Sequence, residues 1–164
     1  MPLLLLDIDD VICLNTPYGG YDVLAREHSA DLWSRLWHPP AMALLCELVQ
    51  ATQAQVVLTT SWLRFLQLDA MAELFRRTGV GILADALHPN GEVLPLRGQT
   101  RLQAIEAWLQ HHGVQQRYAI LDDHLSGTGL SGSRHDRAGR VVLCEVDVGL
   151  QAHHIPQLER ALRR

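Results

Sequence analysis

The chain contains no lysine. All 14 basic residues are arginines, so arginine must serve wherever its chemistry needs a fixed cation. Against them stand 18 acidic residues and a formal charge of -4. A basic field of the kind that dominates non-specific nucleic-acid binding is therefore absent at whole-chain level. Cysteine is scarce too. Cys13, Cys46 and Cys144 are odd in number and far apart, which argues against a disulfide framework or a zinc ribbon and fits a reducing cytoplasm. No apolar run approaches a membrane span. The run Leu3–Leu6 has no basic flank before it and an acidic cluster after it, so it reads as neither a span nor a signal peptide. Internal repeats and low-complexity tracts are missing as well. With 164 residues, residues 1–164 read as one domain, and 48% hydrophobic content excludes global disorder.

What is present alternates. Short apolar, β-branched runs are followed by helical patterns, the signature of an α/β domain with a mainly parallel sheet. Strands are expected over residues 3–8, 55–59, 80–83, 118–121 and 141–146. The spacing predicts a short helix near residues 23–28 and a helix opened by Pro39-Pro40 with Met42, Leu44, Leu45, Leu48 and Val49 on one face. Another is expected from a Ser61 cap to about Arg77, stopped by Gly79, and another over 101–112, capped by Thr100 and ended by Gly113. A last helix covers 155–162 and ends in Arg163 and Arg164. Residues 88–97, with Pro89, Asn90, Gly91 and Pro95, read as a turn-rich loop. Residues 123–139 carry four glycines and three serines and read as an irregular excursion.

The acidic residues are unevenly placed. Asp7, Asp9 and Asp10 follow the first strand, and Asp122 and Asp123 follow the fourth. In open parallel sheets ligands bind at the carboxyl ends of strands. Carboxylates gathered there repel unless one stays protonated or a cation lies between them, and Mg²⁺ suits hard oxygen ligands. One such cluster would read as strand-end caps. Two clusters, with the hydroxyl pair Thr59-Thr60 at the end of the second strand, point to a site.

These segments resemble the motifs of the haloacid dehalogenase superfamily. LLLLDIDDV resembles its first motif, DxDxV after a hydrophobic strand; VVLTTSW its second; YAILDD its fourth. Together with RLQAIEAWL they are similar to the small, nearly capless members, some of which occur as phosphatase-like modules in nucleic-acid repair proteins. The resemblance implies a three-layer Rossmann-like domain with a minimal cap. It implies a Mg²⁺-dependent phosphatase acting on a phosphorylated substrate. Asp7 would take the phosphoryl group as an aspartyl phosphate. Asp9 would be the general acid and base, and its main-chain carbonyl a metal ligand. In a strand, i and i+2 point the same way, so Asp7 and Asp9 share a site if extended geometry reaches that far. Thr59 or Thr60 would bind the phosphoryl group, Thr59 by motif position. Asp7, Asp122 and Asp123 would hold Mg²⁺. A third-motif cation is expected from Arg97 or Arg101, and the pattern RxxxIxxWL favours Arg101. Asp10 departs from the family pattern, where glycine is frequent, and receives no catalytic role.

Other features carry two readings each. His124 reads as a substrate contact or as an ordinary loop histidine. Trp62 reads as a platform for a base or aromatic leaving group, or as core packing, the commoner case. Arg134, Arg137 and Arg140 read as contacts to an anionic substrate or as a solvated loop. The expected function is phosphomonoester hydrolysis, with macromolecular phosphate ends suited to a site without a cap. The alternatives are a phosphate- or partner-binding module of the same fold and a phosphotransferase. No membrane partner and no strong non-specific nucleic-acid binding are expected.

Overall fold

The computed structural model describes residues 1–115 and 117–163. Five strands form one all-parallel sheet in the order β3-β2-β1-β4-β5. Their bounds are β1 Leu3–Leu6, β2 Gln55–Leu58, β3 Leu87–Glu92, β4 Tyr118–Asp123 and β5 Val141–Cys144. The helices are α1 Gly20–Leu24, α2 Leu32–Arg35, α3 Pro39–Thr52, α4 Leu68–Arg77, α5 Gly81–Ala86, α6 Arg101–His111, α7 Arg134–Arg137 and α8 Ile155–Arg163. Among the described residues no helix is long and apolar enough to cross a membrane.

β1 is central, and its four leucines are buried. A continuous apolar strand is what a sheet covered on both faces requires. Leu4 and Leu6 enter a core with Leu45, Leu48, Met71, Phe75 and Leu158, drawn from α3, α4 and α8. Leu3 and Leu5 point the other way and meet Ala104, Ile105, Trp108 and Leu109 of α6. The result is three layers, helix on sheet on helix. Thr100 caps α6 as its sequence suggests: its hydroxyl accepts from Gln103 N at 3.1 Å, and Gln103 Oε1 accepts from Thr100 N at 2.9 Å. Leu102 of the expected apolar stripe is only half-buried. The connection from β1 to α3 holds two short helices and turns, so no domain is inserted there.

Four expectations fail. Residues 81–83 belong to α5, with Val80 at its N-cap, and not to a strand; an apolar run of four does not distinguish the two, and here it packs beside α4. The third strand lies inside the segment read as a loop. β3 pairs Val56 with Leu87 and Leu58 with Glu92, so the chain bulges through Pro89, Asn90 and Gly91 between those contacts. An edge strand tolerates proline, and a Cβ on Gly91 would stand 2.7 Å from the His88 carbonyl. The helix expected from Ser61 is broken. Thr60, not Ser61, caps a 3-10 turn, Ser61–Arg64, and α4 starts only at Leu68. The helix expected near 23–28 lies at α1 and α2 instead. Arg164, read as the end of the last helix, lies outside the described residues.

Candidate active site

β1, β2 and β4 run in register, with Leu6 level with both Leu58 and Leu121. The next residue of each chain is therefore brought level: Asp7, Thr59 and Asp122. The ladder continues one step, with Asp7 N donating to Leu121 O and Thr59 N to Leu6 O. The three side chains are buried, as are Thr60 and Asp123. Asp7, Asp122 and Asp123 each offer an oxygen within 4.8 Å of the others.

Arg101, the first residue of α6, reaches into this cluster. Its Nη1 lies 3.5 Å from Asp7 Oδ1 and 3.3 Å from Asp122 Oδ2, and it donates to the Thr59 carbonyl. Its own amide is capped by Thr128 Oγ1 at 2.8 Å, so the segment after β4 braces the helix end that carries the guanidinium. Arg97 is exposed in a turn, and among the described residues it makes no ion pair with a carboxylate. Of the two arginines expected from sequence, the structure brings Arg101 to the carboxylates.

The cluster is incomplete in a specific way. Asp7 Oδ2, Asp122 Oδ2, Asp123 Oδ2 and Thr59 Oγ1 are buried with no hydrogen-bond partner. Each such oxygen costs about 1–3 kcal/mol if it stays unpartnered. One guanidinium faces three carboxyl groups, so two negative charges are uncompensated when all three are ionised. Burial, and then the charge on Asp122, push the Asp7 pKa well above the usual carboxylate range, with Arg101 pulling the other way. Burial pushes Asp122 up to about 6, again against Arg101. Hard oxygen donors, excess negative charge and orphaned lone pairs fit a small divalent cation such as Mg²⁺.

The two hydroxyls differ. Thr59 Oγ1 is unbonded and buried at the cluster, whereas Thr60 Oγ1 accepts from Trp62 N at 3.2 Å as a cap. The two aspartates of β4 also differ. Asp123 Oδ1 accepts from Leu125 N and Ser126 N, shaping the following loop, while Asp122 Oδ1 accepts from Asp123 N. His124 is half exposed and its Nε2 lies 3.3 Å from Glu145 Oε1.

Asp9 does not share the cluster. The strand ends at Leu6, and the chain turns at once, with the Ile8 carbonyl accepting from the amides of Val11, Ile12 and Cys13. Asp9 lies past the end of β1, in an isolated bridge with Cys13, and is not one of the three clustered carboxylates. Instead Asp9 Oδ1 accepts from Trp62 Nε1 at 3.0 Å and from Asn15 Nδ2 at 3.2 Å. Burial raises its pKa, and those two bonds offset part of the rise. Asp10 occupies the left-handed region at φ 57°, a conformation that glycine adopts most readily, and its Oδ1 accepts from Asp147 N at 2.9 Å. Trp62 is buried, stacked on Trp37 at 5.8 Å, so its packing reading holds and its N–H positions Asp9. Burial pushes the thiols of Cys13 and Cys144 up to about 12, which keeps them unreactive. Sequence reasoning missed Asn15 and Thr128, because a single polar residue in a loop carries no periodic signal. A surface cavity of about 660 Å³, lined by Asp69, Asn90, Glu92, Trp108 and His112, contains none of these site residues.

A parallel α/β sheet with carboxylates at the ends of two adjacent central strands, a hydroxyl on the third and a cation reaching between them defines a haloacid dehalogenase (HAD)-like domain. Within that class, the chain belongs to the family described as the HAD domain in Swiss Army Knife RNA repair proteins, which it matches over residues 3–155. No curated protein and no solved structure matches it. Membership supports a phosphatase-type hydrolase or a related activity.

Proposed function

We propose that the chain is a Mg²⁺-dependent phosphomonoesterase that works through an aspartyl phosphate on Asp7 and acts on the phosphorylated ends of nucleotides or nucleic acids. The observation that carries this reading is Asp7 Oδ2, a buried and unbonded oxygen at the centre of the cluster. The family's place in RNA repair proteins supports the substrate class. Asp7, Asp122 and Asp123 would hold Mg²⁺, which supplies charge neutralisation for the phosphoryl oxygens.

The remaining roles follow from this chain's residues. An Asp7 oxygen attacks phosphorus, the new O–P bond forms, and the bond to the leaving oxygen breaks. Asp9 gives its proton to that leaving oxygen, and its raised pKa suits an acid that must arrive protonated. Asp9, now a carboxylate, takes a proton from water as the water oxygen bonds phosphorus and the Asp7–phosphorus bond breaks. Inorganic phosphate leaves and Asp7 is restored. Arg101 holds Asp7 and offsets charge, and the Thr59 hydroxyl donates to the phosphoryl group.

The test is phosphate release from nucleotides and from 5′- and 3′-phosphorylated oligonucleotides, with Mg²⁺, with EDTA and with Asp7→Asn. Release that requires Mg²⁺ and is lost in the variant is expected. A folded protein that releases nothing and binds neither vanadate nor beryllofluoride overturns the reading.

A further inference from the structure

Most large apolar side chains of this molecule are buried, but two aromatic rings are not. Tyr21 is 84% exposed and Phe65 is 55% exposed. They come from different segments, α1 and the end of the 3-10 turn, yet their ring centroids lie 6.3 Å apart at an interplanar angle of 49°. Folding thus brings two exposed rings into contact without covering either. The placement carries an energetic cost, since both rings leave apolar area in water.

Their location relates them to Asp9. The indole of Trp62 donates to Asp9 Oδ1. Phe65 N donates to the Trp62 carbonyl at 2.9 Å. On the other side Gly20 lies against the same indole so closely that a Cβ there would stand 3.0 Å from the ring, and Tyr21 is the next residue. The two exposed rings therefore sit on segments that pack against, or follow directly on, the tryptophan bonded to Asp9. Arg64, beside Phe65, is exposed and, among the described residues, forms no ion pair with a carboxylate.

A general acid contacts the leaving group, because it must protonate the leaving oxygen. What projects beyond Asp9 is then the organic part of the substrate, and the segments packed against or following Trp62 carry two exposed aromatic rings and an exposed arginine. Exposed aromatics beside a cation are the surface that takes an unpaired base and the phosphate next to it. We infer that Tyr21 and Phe65 form a stacking platform for the base of the terminal nucleotide, and that the preferred substrate is a single-stranded nucleic-acid end carrying a phosphomonoester. The inference rests on the phosphatase reading above and adds to it the residues that select the substrate. A base that is already unpaired reaches the platform without being drawn out of a duplex.

The experiment compares an oligonucleotide whose phosphorylated terminal nucleotide bears its base with the same oligonucleotide made abasic at that position. The readout is the ratio of the two kcat/KM values. In Tyr21→Ala, Phe65→Ala and the double variant the ratio is expected to fall roughly tenfold, the range that a lost base–aromatic stack produces. Tyr21→Phe, which keeps a ring, restores the ratio. Both positions are exposed, so the fold tolerates the changes. A ratio unmoved by the double variant, with wild-type turnover intact, overturns the platform and leaves the phosphatase reading standing. Equal loss on both substrates overturns it as well. If the wild-type chain releases no phosphate, the phosphatase reading fails by itself. The platform is then decided by fluorescence of a terminal 2-aminopurine oligonucleotide. Quenching on binding that the double variant lacks supports it, and absence of quenching overturns it.

Discussion

At its amino end β4 buries Tyr118, and at its carboxyl end it buries Asp122 and Asp123. The two ends treat buried polar groups differently. The Tyr118 hydroxyl lies 2.6 Å from His135 Nδ1, and His135 Nε2 lies 3.0 Å from Glu106 Oε1. A neutral imidazole satisfies both, accepting from the tyrosine and donating to the glutamate. Arg134 Nε pairs with the same glutamate at 3.0 Å, and the Arg140 guanidinium lies over the Tyr118 ring at 4.2 Å. Every member has a partner. At the other end four buried oxygens have no hydrogen bond, and of these only Asp122 Oδ2 faces a cation. A complete buried network stabilises a fold, whereas an incomplete one raises its energy unless something binds. The first is structure; the second is a site.

The sharpest way to separate the two ends is Asp7→Asn. Loss of the nucleophile is expected to lower phosphate release by about a thousandfold or more. The metal-free protein should melt at the same or a higher temperature, because a charge held unfavourably by burial has been removed. Thermal denaturation in EDTA checks the second part, and a clear drop in melting temperature would contradict it.

The next largest effect is on pH. Asp122 has a folded-state pKa raised to about 6 from 3.8, so the folded state binds more protons than the unfolded state between those values. Its contribution to stability therefore falls as pH rises through that window and grows again as pH is lowered, by up to about 3 kcal/mol. Denaturant unfolding of the metal-free protein from pH 4 to pH 7 should show this slope, and saturating Mg²⁺ should flatten it. A slope of opposite sign would exclude strained carboxylates at the site.

His135→Ala breaks the satisfied end. It strands the Tyr118 hydroxyl and one side of Glu106, at about 2 kcal/mol. A melting temperature lower by several degrees with kcat retained is expected. Loss of turnover in a protein that remains folded would mean that the two ends are coupled.

The smallest effect is expected at Asp10→Gly. Glycine relieves the left-handed backbone but forfeits the bond to Asp147 N, and these terms are each about 1 kcal/mol and opposite in sign. Stability should change by less than about 1 kcal/mol by chemical denaturation, with turnover unaffected.

The comparison also shows why some features were legible in the sequence and others were not. The carboxylates of the site follow directly on apolar strands, and strand ends in a parallel sheet are where ligands gather, so Asp7, Asp122 and Asp123 could be read without coordinates. The capping box at Thr100 and the proline start of α3 are local too. β3 was hidden because an edge strand can bulge through proline and glycine, and α5 because four apolar residues fit either periodicity. The choice between Arg97 and Arg101 was open for another reason. Both lie near the start of one helix, and only the path of α6 across the sheet sends one of them inward.

By itself, then, the sequence determined an α/β sheet, the strand ends that carry acidic residues, and the absence of lysine that leaves arginine as the cation among them. Those are consequences of order along the chain. Only the tertiary structure decided that Thr59 faces the cluster while Thr60 caps a turn, that Asp9 is held by Trp62 and Asn15 apart from the other carboxylates, and that Tyr21 meets Phe65 in the open. Each of these depends on contacts between segments distant in sequence, and such contacts form only when strand register and helix packing bring the segments together.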